Sequence, residues 1–136
     1  MQYAVPIGRV LFALIFIMSG FGHLFDLEAM SGYAASKGVP LPTVATVVTG
    51  IMIIAGGLSV LLGYKTKIGA ILLAVFLIPT AFMMHAFWGV DEATAAAEMP
   101  HFMKDLALAG GALIIAYFGA GPYSLDNRGT GDGEES

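Results

Sequence analysis

Four stretches of the chain, residues 5–25, 44–62, 68–88 and 102–118, carry few polar side chains among long runs of apolar ones. Each approaches the roughly 20 apolar residues that a helix needs to cross about 30 Å of hydrocarbon. Inside lipid only helices and closed barrels satisfy their own backbone. These runs show no period-two alternation and are too long for single barrel strands. The pattern predicts an all-α, polytopic membrane protein, a bundle of four transmembrane helices.

The segments between the runs predict smaller features. Residues 26–38 form a short interfacial helix after the first span, with Met30 and Tyr33 dipping towards the bilayer, ended by Gly38 and the Pro40-Leu-Pro42 brake. Residues 93–99 favour helix, and Pro100 suits the first turn of the fourth span. Pro79 should kink the third span. Residues 1–126 are expected to make a single transmembrane domain, and residues 127–136 a flexible polar tail. The first span is read as a retained helix, because its apolar run exceeds the roughly 7–15 residues of a cleaved signal.

Composition agrees. The 136 residues are 57% hydrophobic and 12% charged, with mean hydropathy +0.81, whereas a soluble domain carries about 25% charged residues. The natural surroundings are therefore a lipid bilayer. A net charge of −4 offers no basic surface for nucleic acid. The chain has no cysteine, so disulfide, thiolate and Cys-ligated metal chemistry would belong to a partner.

Small residues mark where helices approach in lipid. Thr46, Gly50, Gly56 and Gly57 in span two, and Ala107, Gly110 and Gly111 in span four, are the expected contact faces. In span one, Arg9, Ala13, Phe16, Gly20 and His23 recur every three or four residues and share a stripe.

If the spans alternate in direction, His23, His85 and His101 arrive near one membrane face from three helices. Ala81, His85 and Trp88 would form one helical stripe, and His101, Asp105 and Leu108 another, with Lys104 alongside. Three readings of this cluster stand together. The simplest is a set of interface-level anchors, solvated or bonded to backbone. A redox ligand site is the second: a quinone ring needs donors such as His or Lys beside aromatic walls, here His23, His85, His101, Lys104, Phe82 and Trp88. The third is a metal or haem site. With span four read from residue 102, no helix holds a His-x3-His or Glu-x2-His pair, so His23, His85 and His101 would have to join from separate helices, with Asp105 as ligand or orienting partner. Arg9 is expected to snorkel to the head groups, with a buried ion pair to Asp126 as the other reading. The polar groups at mid-depth are mainly Ser19, Thr49 and Thr80, which argues against a transporter acting alone.

The segments GRVLFALIFIMSGFGHL, KGVPLP, GGLSVLLGYKTKIGAILLAVF, FMMHAFW and HFMKDLALAGGALIIAYFGAGPYSLD resemble the DoxX family of four-span membrane proteins, from Gly8 to about Asp126. That resemblance implies a small subunit of a quinone-linked oxidoreductase in a bacterial-type inner membrane, working with membrane or membrane-associated oxidoreductase subunits. The family's polar positions fall on Arg9, His85, Trp88, Lys104 and Asp126. Relatives often carry lysine in place of His23 and asparagine in place of Asp105. The candidate quinone-binding set is therefore His23, His85, Trp88, His101, Lys104, Asp105 and Arg9. A non-catalytic accessory subunit that packs against a larger complex is the alternative, and homo-oligomerisation is open.

Lys65 and Lys67 lie in the turn between spans two and three, with Arg9 and Arg128 on the same side, against Lys37 and Lys104 opposite. By the positive-inside rule both termini face the cytoplasm. Reporter fusions within residues 65–67 and at the carboxyl end should both report the cytoplasmic side; opposite sides would break the alternation.

Overall fold

The computed structural model describes residues 1–128. They form five helices: α1 (Ala4–Phe25), α2 (Leu27–Ser36), α3 (Pro42–Leu62), α4 (Thr66–Met84) and α5 (Glu92–Phe118). All but α2 are long and apolar enough to cross a membrane, and no strand occurs among the described residues. The expected polar tail falls, from residue 129 onward, outside the described residues.

The stripe read from span one is the face α1 buries: Arg9, Ala13, Phe16 and Gly20. It packs on α3, which also packs on α4, while α4 packs on α5. Adjacent glycines let α3 serve two neighbours, because consecutive helical residues point about 100° apart. A Cβ on Gly57 would stand 2.9 Å from Ile17 and 3.4 Å from the Ala13 carbonyl of α1. One on Gly56 would stand 2.8 Å from Leu73 and 3.1 Å from the Gly69 carbonyl of α4. The core between them is small and aliphatic, with Ile53, Val60, Ala70 and Leu73 fully buried around Phe16.

Three sequence expectations need correction. The third span ends at Met84, not at residue 88, so His85 and Trp88 stand on the connection rather than on one helical stripe. There Phe87 and Trp88 turn onto Phe102 of α5, with ring centroids 5.3 Å and 5.4 Å away, and Gly89, at φ +71, takes a backbone conformation that side chains disfavour. The fourth span begins at Glu92, ten residues before hydropathy marks it. Asp91 caps it by accepting the Thr94 N–H at 3.1 Å, which leaves Pro100 well inside α5. Finally, α5 buries Phe102, Asp105, Ala109 and Ala112, while Ala107 and Gly110 are exposed and Gly111 half-buried. Helix contact here follows Ala109 and Ala112 together with Gly111, where a Cβ would stand 3.3 Å from Phe12 of α1, and not Ala107 or Gly110.

The tightest approach joins α1 to α3, where a Cβ on Gly20 would lie 2.8 Å from the Gly50 carbonyl and closer still to Ile54. Backbone cannot yield as a side chain can. Gly20→Ala should therefore destabilise the bundle by about 1–3 kcal/mol, measured as thermal unfolding in detergent, whereas Gly22→Ala, with open space around it, should cost little.

Candidate functional site

His85, His101, Lys104 and Asp105 lie at one end of the bundle, and a residue absent from the candidate set, Glu98, holds His85 there. Glu98 of α5 is a junction of three segments. Its Oε2 accepts from His85 Nδ1 at 2.8 Å, and its Oε1 accepts from Lys37 Nζ at 3.2 Å and Tyr33 Oη at 3.3 Å. Glu98 thereby ties α2 and the end of α4 to α5. Burial first, and then the negative charge of Glu98, hold the Tyr33 hydroxyl above its usual pKa, so it stays a donor. Because α5 begins at residue 92, Glu98 and His101 lie on one helix at the Glu-x2-His spacing that a start at residue 102 conceals.

His101 is exposed and stacks on His85 with ring centroids 5.1 Å apart. Asp105 is 5% exposed, and its Oδ2 has no hydrogen-bond partner. That oxygen faces His85 Nε2 at 3.7 Å, within range for electrostatic attraction and beyond a direct hydrogen bond.

Beneath this network lies a cavity of about 460 Å³ lined by residues of all five helices. His23, Tyr33, His85, Lys104 and Asp105 supply its ionisable and phenolic groups. Phe16, Phe76 and Met52 are among its apolar walls, and the mid-depth residues Ser19, Thr49 and Thr80 all reach it. His101, Phe82 and Trp88 do not line it. Trp88 instead packs with Phe82, Phe87 and Phe102 in an aromatic cluster beside it. His23 stays apart from the other two histidines: its Nδ1 bonds the Ser19 carbonyl at 2.7 Å. Among the described residues no three of His, Asp and Glu are grouped to hold a metal ion.

Arg9 lies at the other end and does not snorkel. It is 4% exposed and donates to main-chain carbonyls: Val60 and Leu61 at 3.5 and 3.4 Å, Pro122 and Tyr123 at 3.2 and 2.6 Å. The last carbonyls of a helix have no partner within it, and lipid offers none, so the guanidinium takes that part for the end of α3. Asp126 is not bonded to Arg9 but caps α4, accepting the Lys65 and Thr66 N–H groups at 2.7 and 3.0 Å. Its own N–H bonds the Gly63 carbonyl at 2.7 Å. Gly63, at φ +68, leaves room for both groups: a Cβ there would collide with Arg9 and Ser124.

The DoxX family profile matches residues 4–86, more than half of the chain. The chain belongs to the DoxX family. It is 31% identical over 122 residues to the inner membrane protein YphA of Escherichia coli (strain K12), covering 90% of this chain and 87% of that one. It is 34% identical over 127 residues to the inner membrane protein YqjF of the same organism, covering 90% and 88%. No solved structure matches it. Of the polar positions that resemblance to the DoxX family carries over, His85 and Lys104 reach the cavity and Trp88 stands beside it, while Arg9 and Asp126 hold the opposite end together.

That opposite end yields a pH dependence. The Thr66 N–H foremost, opposed by burial as the next largest effect and then aided by the Lys65 N–H, the Thr66 hydroxyl and the charge of Arg9, holds the Asp126 carboxyl below the usual carboxylate range. A depressed pKa contributes stability above the unfolded value, about pH 4, and loses it as pH falls through the folded one. Asp126→Ala should lower stability at neutral pH by about 1 kcal/mol, as loss of a helix cap does. Thermal unfolding between about pH 7 and pH 3 should then fall more steeply for wild type than for the variant. Parallel curves would remove Asp126 from the acid response.

Proposed function

We propose that this DoxX-family chain is a small integral membrane subunit of a quinone-linked oxidoreductase, and that the cavity below Glu98 receives the ring of a quinone-class molecule. The observation that carries the reading is a cavity of about 460 Å³ with apolar walls and the buried, unpartnered Asp105 carboxylate at its polar end. Ligand sites of about 300–1,000 Å³ with apolar linings and few polar groups are the common form. Lys104, His85 and His23 supply polar contacts for ring oxygens, and Phe16 and Phe76 flank the space.

The route of entry fits a lipid-soluble ligand. Ile15, Val75 and Met83 line the cavity and are also exposed on the outer surfaces of α1 and α4, where the membrane would be. A ring dissolved in the bilayer would reach the polar end without crossing water. With no cysteine in the chain, thiol redox chemistry is assigned to a partner subunit, and this chain's part is to hold the ring. By charge bias the cavity end lies on the outer side of the inner membrane, with both termini cytoplasmic.

Protein purified in mild detergent should retain a quinone that organic extraction recovers, or bind an added short-chain quinone. Thr49→Leu adds apolar bulk at the wall and removes a hydroxyl that already bonds the Ala45 carbonyl at 2.7 Å. It should weaken binding by about tenfold, as a crowded ligand pocket does. Neither retention nor binding would leave the accessory-subunit reading in its place.

A further inference from the structure

Most of the hydroxyl hydrogens around the cavity are already spent, Ser19 and the Lys104 ammonium excepted, and that bears on what kind of occupant it suits. The Thr46 and Thr49 hydroxyls donate to the Pro42 and Ala45 carbonyls of their own helix at 2.7 Å each. Thr80 does the same to Phe76 at 2.7 Å. Each hydroxyl has a single hydrogen, so only its lone pairs remain. His23 Nδ1 lies 2.7 Å from the Ser19 carbonyl, which can only accept, so Nδ1 carries the hydrogen and Nε2 of the neutral ring is an acceptor. His85 Nδ1 faces the Glu98 carboxylate, itself held by Lys37 and Tyr33, so in the neutral ring Nε2 keeps a lone pair. Asp105 Oδ2, buried and unpartnered, points at that nitrogen across 3.7 Å. With that ring neutral and Asp105 ionised, two acceptors face each other across a gap that a shared hydrogen would close.

We infer that the cavity is built for a hydrogen-bond donor: an apolar, hydroxyl-bearing ring whose O–H is shared by Asp105 Oδ2 and His85 Nε2. This rests on the cavity being the ligand site proposed above, and it specifies the redox form held there. A quinone presents two carbonyl acceptors and finds its donors in Lys104 and the Ser19 hydroxyl. The corresponding hydroquinone presents two O–H groups to a wall of acceptors. A buried carboxylate left without a donor is disfavoured, so the cavity discriminates by hydrogen, not by ring shape. Asparagine at position 105 would bring its own N–H to the same place and remove that bias.

The test uses the full chain in detergent under anaerobic conditions and calorimetric titration with two matched pairs of probes. The first is tetramethyl-1,4-benzohydroquinone against tetramethyl-1,4-benzoquinone, and the second 4-ethylphenol against its methyl ether. The hydroxyl member of each pair should bind about tenfold tighter, the difference expected when a buried acceptor gains or lacks its donor. In Asp105→Asn the preference should shrink or reverse. Equal affinity within both pairs, or tighter quinone binding, overturns the inference and leaves the quinone-class reading standing. Preference for the phenol over its ether, with neither tetramethyl probe bound, supports the donor-seeking cavity and removes the quinone-class reading. Binding of no probe overturns both. The comparisons on wild-type protein do not depend on the variant folding.

Discussion

Everything in this bundle depends on how near α1 and α4 come to α3. In lipid no hydrophobic force presses helices together, so contact must be made by packing atoms at short range. Gly20 against Gly50, Gly57 against Ala13 and Gly56 against Gly69 set three such approaches, and each closes on a main-chain oxygen. With α1 and α4 held on two sides of α3, and α5 held by α4, all five helices are left lining one cavity. The glycines therefore shape the site without touching it.

What could be read from the residues follows from what hydropathy measures. Helix number and order were legible, since the length of an apolar run is set by membrane thickness. The buried face of α1 was legible because Arg9, Ala13, Phe16 and Gly20 repeat at helical spacing. Helix ends were not, because hydropathy reports depth in lipid while a helix stops where its hydrogen bonds stop. The cap of Asp91 on Thr94 was present in the sequence as Asp-x-x-Thr, and reading it would have brought Glu98 onto the same helix as His101. The partners of Arg9 were out of reach: they are carbonyls, which every residue has and no pattern marks.

The two ends of the molecule use charge differently. Around Arg9 and Asp126 the polar side chains close on main-chain groups and stitch α3, α4 and the segment after α5 into one unit. Around Glu98 they close on one another and leave the oxygen of Asp105 unspent. Arg9 Nε stays without a partner there too, but the tips of its guanidinium are held by four fixed main-chain carbonyls, which suits structure. An end that keeps one buried acceptor open suits exchange with something that comes and goes.

Arg9 also imposes an order on biosynthesis. It lies in α1, yet two of its four acceptors belong to Pro122 and Tyr123, made more than a hundred residues later. Until α3 is made all four of these carbonyls are missing, and until residues 122–123 follow two of them still are. The Arg9 site is therefore complete only once the segment after α5 has been made, long after α1 itself.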